Sequence, residues 1–449
     1  MTAPESGDTP ATPTHQHGDT AVRPPVDARS QDRSSITMLV NLAFTAGAGF
    51  VYWFFVARAY SADDVGRAGA LATSAMLVIF ATNLGLTVAV GRHASTRGDE
   101  DSARFTVAAL LVVASSALGG LVLFALGPDS VMRALRGTNG ISGEVVFLVI
   151  VALVPLSQLS DIRLLALRRW RFVLIRSGLS AALKVTIALV LVLGPADHGT
   201  VTLFVGLLGP DAVLGLVSAS IVGAAGARHM LTVRGLPPLR AAFNAARINY
   251  ASVLLAQGAN VIVPFAVISH VTDAENANFY LAWSFTQIAL LVPQSITWGL
   301  HVEGHVDTDV LARQVRRALR TAIGLSTVAT IGSIALVWVL PALYGSDYDT
   351  AGRVAPIMMA TSIPYAVSAI LLAQARVTSR YRTELRIAAV YAVSLVGSVL
   401  ALVGNNGLSG AVTGVVLGAV LAAFVNGGLG IRNRSTAGIA ITRSGSGLV

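Results

Sequence analysis

Stretches of about 20 apolar residues, the length that crosses a bilayer core, recur along this chain of 449 residues from Ile36 onward, separated by short polar turns. Twelve such runs centre near 47, 80, 115, 155, 183, 214, 259, 288, 329, 364, 395 and 420. The composition agrees: 54% of residues are hydrophobic and 12% charged, with a mean hydropathy of +0.69, against about 25% charged in ordinary soluble domains. A soluble enzyme is excluded. In lipid a span must satisfy its own backbone hydrogen bonds, and the runs lack the short alternating segments of a barrel, so the expected fold class is an all-α polytopic membrane protein. No cysteine occurs, which removes disulfides, thiolate zinc sites, iron–sulfur clusters and thiol catalysis.

The basic residues set the expected orientation. Of 32, all are arginine except Lys184, and the net charge is +9. With a cytoplasmic N-terminus, 26 arginines fall in cytoplasmic segments and five outside (Arg58, Arg67, Arg133, Arg136 and Arg353). That bias follows the positive-inside rule and places both termini in the cytoplasm. Dispersal of the arginines between apolar runs, with no single basic patch, argues against a nucleic-acid partner. Residues 1–35 hold almost no large apolar side chains and read as a disordered cytoplasmic tail. They show no basic stretch leading into an apolar core, so no cleavable signal peptide is expected.

The twelve runs divide into two sets of six, at 36–226 and 247–430, joined by a basic connection at 227–246 through Pro237 and Pro238 and followed by a cytoplasmic tail at 431–449. Two short echoes relate the sets. Ser61-Ala62-Asp63-Asp64 follows the first run as Thr272-Asp273-Ala274-Glu275 follows the seventh, and Leu164-Leu165-Ala166 with Arg168 and Trp170 parallels Leu371-Leu372-Ala373 with Arg376, Arg380 and Tyr381. An even number of spans per set gives both the same orientation, so two six-helix bundles related by a parallel repeat are expected, with a cavity between them.

Lys184 lies near mid-span, roughly 13 Å from the outer end at about 1.5 Å per residue. A charge there costs about 2.5–3.5 kcal/mol on insertion scales and cannot snorkel out. Ser177, Ser180 and Lys184 share a helical face. Asp211, after Pro210 in the sixth run, reaches nearly the same depth on the next antiparallel helix, so a Lys184–Asp211 pair is expected. Such a pair either neutralises two buried charges or exchanges partners with a substrate phosphate or a proton. Gln257, Asn260, Gln287 and Gln294 in the second set either bond between helices or line a hydrated cavity. Arg163 and Arg176 read as snorkelling residues, and Trp53, Trp283, Trp298 and Trp338 as an interfacial belt. No catalytic or metal-ligand arrangement and no cofactor motif emerges.

Four segments carry a family resemblance. They are Val56-Ala57-Arg58-Ala59-Tyr60-Ser61-Ala62-Asp63-Asp64-Val65-Gly66, then Asn83-Leu84-Gly85-Leu86 with Gly91-Arg92, then Leu343-Tyr344-Gly345-Ser346-Asp347-Tyr348-Asp349-Thr350-Ala351, and Gly404-Asn405-Asn406-Gly407-Leu408-Ser409-Gly410-Ala411. Together they resemble the O-antigen-flippase type of polysaccharide biosynthesis membrane protein, within the multidrug/oligosaccharidyl-lipid/polysaccharide exporter superfamily. The resemblance implies a bacterial plasma-membrane flippase that moves a polyprenyl-pyrophosphate-linked oligosaccharide to the outer leaflet by alternating access. Its implied partners are that substrate, membrane lipids, a coupling proton or sodium ion and other polysaccharide-assembly proteins. Substrate contacts are then expected from Lys184, Arg58, Asp211, Ser180, Gln257, Asn260 and Gln287, with Arg58 at the outer rim of the cavity. Family members often carry an acidic residue in span seven, where this chain has Asn260.

Three other readings compete. A cation-coupled multidrug antiporter of the same superfamily needs cavity carboxylates, of which Asp211 is well placed. A membrane glycan polymerase or glycosyltransferase needs a large outside loop, and the outside loops here are under about 20 residues, close to ordinary connections. A non-transporting scaffold makes no demand that the sequence tests.

Overall fold

The computed structural model describes residues 44–45, 47–83, 99–136, 142–167, 169–194, 199–223, 236–303 and 308–444. The tail 1–35, the Leu84-Gly85-Leu86 and Gly91-Arg92 matches, part of the connection between the halves and residues 445–449 lie outside them. The described elements are α1 (47–59), α2 (Ala62–Thr82), α3 (Asp99–Leu126), α4 (Asp129–Arg136), α5 (Ser142–Ala166), α6 (Trp170–Leu193) and α7 (Thr200–Gly223). The second half contributes α8 (Leu236–Ile268), α9 (Asp273–Glu303), α10 (Thr308–Ser333), α11 (Leu336–Tyr344), α12 (Asp349–Met359), α13 (Ser362–Val377) and α14 (Tyr381–Ser444).

Most expected runs map onto single helices; two have broken backbones, and two lie in one helical stretch that breaks between them. The α10–α11 pair bends by 53°, and the helical stretch Ser346–Met359 bends by 41° into α13. In α14 the break is complete: Gly407 takes φ 52° and ψ −131°, a conformation that L side chains rarely adopt, and the chain folds back on itself. Counting each bent pair as one span and α14 as two, and leaving out the eight-residue α4 as too short to cross a bilayer, recovers twelve segments in an all-α, twelve-helix architecture.

The second span begins earlier than its apolar run. Ser61 caps α2, accepting from the Asp64 amide at 3.2 Å, so Asp63, Asp64 and Arg67 belong to the first turns of the helix and not to a loop. Thr272 does the same for α9: its hydroxyl accepts from the Glu275 amide at 3.2 Å, and Glu275 accepts from the Thr272 amide at 2.9 Å. The acidic echoes are thus two capped helix starts, of which Thr272–Glu275 is a full reciprocal capping box, and the carboxylates of both meet the positive helix N-termini. Pro237 and Pro238 sit in the first turn of α8, where missing amide hydrogens cost nothing. The helix therefore starts inside the expected connection.

Small residues decide how closely helices approach. Along the second arm of α14, Gly410, Gly414 and Gly418 recur every fourth residue and lie on the first arm's backbone: a methyl at Gly414 would come within 2.6 Å of Val399 Cα. This stripe lets the two arms pack almost backbone to backbone, as small residues do within membranes. Gly414→Ala is expected to lower stability by about 1–3 kcal/mol through overpacking. Gly397, which faces open space, should accept alanine without loss. Thermal unfolding in detergent compares the two.

Candidate functional site

Three helices of the first bundle gather its buried charges. The packed face of α6 carries Val173, Ser177, Ser180, Lys184, Ala188 and Leu191 at helical spacing, while Phe172, Ile175, Leu179 and Leu183 point outward. Lys184 Nζ donates to Asp211 Oδ2 of α7 at 2.7 Å, and the Ser180 hydroxyl donates to Oδ1 at 2.6 Å. Both carboxylate oxygens are therefore engaged by one helix. Pro210, immediately before Asp211, interrupts the α7 hydrogen-bond ladder at this level.

A second pair lies beside the first. Arg176 on α6 grips Asp161 of α5 through two parallel bonds, Nε to Oδ1 at 2.8 Å and a guanidinium NH2 to Oδ2 at 2.5 Å, and also donates to Ser177 at 3.1 Å. Bidentate guanidinium–carboxylate pairing is the strong form of this contact. Arg176 therefore does not snorkel. Arg163 does not either: it is buried, with its guanidinium over the Phe105 ring at 5.2 Å.

The second bundle holds a matching pair that the sequence pattern did not reveal. Arg376 at the end of α13 donates through Nε to Glu384 Oε1 of α14 at 2.8 Å, and Glu384 also accepts from Ser252 of α8. Buried charge is therefore not confined to the first bundle. Its signal was one carboxylate among four arginines at the start of a span. Above it, Tyr391 donates to Asn260 Oδ1 at 2.8 Å, Tyr391 and Tyr365 rings lie 5.2 Å apart, and Gln294 donates to the Tyr365 hydroxyl at 3.2 Å. Asn426 adds a donation to Ser368 at 3.0 Å. These are interhelical bonds within the bundle; Gln257 and Gln287 are half-buried and form no hydrogen bond among the described residues.

The two bundles meet at the N-terminal ends of α2 and α9. Asn276 of α9 donates to the Gly66 carbonyl of α2 at 2.7 Å, and a methyl at Gly66 would sit 1.8 Å from the Asp273 carbonyl. Arg67 pairs with Asp64 at 2.7 Å and reaches Asp273 at 4.0 Å. Below this clasp, aromatic rings interlock: Trp53 with Tyr280 at 5.4 Å, Phe50 with Phe285 at 4.9 Å and Phe54 with Tyr344 at 5.9 Å. Arg58 is exposed and lies over Phe54 at 5.6 Å, next to this seam. Trp53 and Trp283 are buried, so packing and not the lipid interface holds them; Trp338 is exposed, and the Trp298 side chain lies outside the described ones.

This geometry has solved counterparts. An inward-facing multidrug resistance MATE family transporter of the MOP superfamily aligns over 89% of this chain and 98% of its own, with a TM-score of 0.67 and 15% identity. An outward-facing MATE structure gives 0.58 at 15% identity, over 91% of this chain and 96% of its own. A MOP superfamily transporter from Pyrococcus furiosus, whose binding pocket has reverse polarity suggesting a different function, gives 0.55 at 15% identity over 91% and 96%. The chain thus has the twelve-helix fold of MATE transporters of the MOP superfamily. No protein-family model matches it, and no curated protein does.

Removing one member of a buried pair strands the other charge, at a cost of about 3–5 kcal/mol. Asp211→Asn and Lys184→Met are each expected to lower the melting temperature, while the Lys184→Met/Asp211→Leu double variant recovers much of the loss. A thermal double-mutant cycle reads the coupling; purely additive losses would mean that the contact carries no net energy.

Proposed function

We propose that this protein is a secondary exporter that works by alternating access, coupling cation entry to the outward movement of an organic substrate. The observation that carries the reading is the Ser180–Asp211–Lys184 cluster: a span-interior carboxylate with both oxygens bonded to a neighbouring helix. Protonation of Asp211 removes its charge, weakens its hold on Lys184 and frees α6 to move against α7. A membrane carboxylate whose partners depend on its proton is the element that couples an ion gradient to helix position. The MATE names of the structural neighbours favour small organic substrates over the lipid-linked oligosaccharide.

On the same reading both termini face the cytoplasm, residues 36–226 and 247–430 form the two moving bundles, and the Arg67–Asp273 clasp closes the outer side in the conformer described. The segments Val56–Gly66, Leu343–Ala351 and Gly404–Ala411 support a second reading, a flippase for a polyprenyl-pyrophosphate-linked oligosaccharide, in which Lys184, freed from Asp211, meets pyrophosphate and Arg58, Gln257 and Gln287 meet the glycan.

Transport separates these readings. In proteoliposomes with an imposed pH gradient, wild-type protein should move a fluorescent organic cation, and Asp211→Asn should cut the gradient-dependent rate by at least about tenfold, within the usual reach of a positioned proton-transfer group. Absence of cation movement together with scrambling of a lipid-linked oligosaccharide would instead establish the flippase. The absence of cysteine makes a second test direct: an Arg67→Cys/Asp273→Cys variant, cross-linked across the clasp, should stop transport until reduced. Full activity in the linked protein would mean that the clasp is not a gate.

A further inference from the structure

Helix α10 carries an unusual strip of charge. Arg313, Arg316, Arg317 and Arg320 recur at i, i+3, i+4 and i+7, so their side chains fall on one face over about 10 Å of helix. All four are exposed, and together with Thr321 they line a shallow concavity of about 340 Å³. Among the described residues no carboxylate pairs with any of them, whereas Arg67, Arg176, Arg353 and Arg376 each have one. The opposite face of α10, through Leu311, Val315, Ala318 and Ala322, packs on Ala366, Ile370 and Ala373 of α13.

The next residues along the same face identify the surroundings of the arginines. Continuing the helical spacing from Arg313, Arg317 and Arg320 leads to Gly324, Val328 and Ile331, flanked by Leu325. Leu325, Val328 and Ile331 are exposed large apolar side chains. A strip that stays exposed along its length but changes from cationic to apolar within a few residues is a helix face crossing from headgroups into hydrocarbon. A water-filled interior would not favour exposed leucine, valine and isoleucine. Among the described residues the helices packed on α10 are α9, α12 and α13 of its own bundle, and the strip stays exposed beside them.

We propose that the four arginines form a binding site for the phosphate headgroup of an anionic phospholipid from the surrounding leaflet. Guanidinium forks match phosphate oxygens bidentately, the concavity receives the headgroup, and the apolar strip of Leu325, Val328 and Ile331 receives the acyl chains. The site is distinct from the Ser180–Asp211–Lys184 cluster and does not depend on what the protein transports.

Native mass spectrometry of the full-length protein released from phosphatidylcholine–phosphatidylglycerol nanodiscs tests this. Wild-type protein should retain phosphatidylglycerol in preference to phosphatidylcholine, and Arg313→Gln/Arg317→Gln/Arg320→Gln should weaken that retention by about tenfold or more with an unchanged melting temperature. Arg380→Gln/Arg382→Gln, which removes exposed charge elsewhere, serves as control and should retain phosphatidylglycerol as wild type does. Equal losses in the two variants, or none in the triple variant, would overturn the proposal. So would complete displacement of the lipid by inorganic pyrophosphate, which would mark a site for a soluble phosphate compound.

Discussion

A charged side chain placed inside a run of twenty apolar residues must find its counter-charge within the protein, because the surrounding hydrocarbon offers neither water nor ions. Much of the interior of this molecule obeys that constraint. Lys184 draws Asp211 and Ser180 onto one face of α6, and Arg176 draws Asp161 beside them. These pairs determine which face of α6 turns inward, since the remaining faces of that helix are apolar and equally acceptable to lipid. The Arg376–Glu384 pair fastens the corresponding turn of the second bundle, with acid and base exchanged between the helices. A buried pair is weak evidence for stability by itself, but in a bilayer it is a strong determinant of helix rotation.

The seam between the bundles has a different physical character. It rests on close backbone approach and aromatic packing: Gly66 against the start of α9, and Trp53, Phe50 and Phe54 against Tyr280, Phe285 and Tyr344. Its polar contacts, Asn276 to the Gly66 carbonyl and Arg67 to Asp273, lie at the N-terminal ends of α2 and α9. It is an interface of flat rings and small residues with few buried charges. The charge pairs Lys184–Asp211, Arg176–Asp161 and Arg376–Glu384 each lie inside one bundle, so none of them spans the seam.

Much of the architecture was legible before any coordinates. The spans stood out because lipid imposes a length on apolar runs, and the Lys184–Asp211 pair was readable because both residues lie at similar depth on consecutive antiparallel helices, so proximity followed from helical rise alone. Arg376, Glu384 and Ser252 were not readable as a group: they come from three helices, and no rule of depth brings α8 beside α14. Trp53 and Trp283 misled, since tryptophan near a span end usually marks the lipid interface, and only the packed structure shows these two buried. The start of α2 was displaced for a local reason, because its first turn is charged and capped and so escapes a search for apolar runs.

The amino-acid sequence by itself determined that the chain is helical and carries twelve runs long enough to span a membrane, because hydrocarbon thickness and backbone satisfaction are local conditions. It also determined the arginine asymmetry from which an orientation is expected. Only the tertiary structure decided which helices are neighbours, that the two capped helix starts meet across the seam, and that the arginines of α10 share an exposed face with exposed leucine, valine and isoleucine. Those facts depend on contacts between residues far apart in the chain, and the bilayer selects among such contacts weakly, since lipid accepts almost any apolar face.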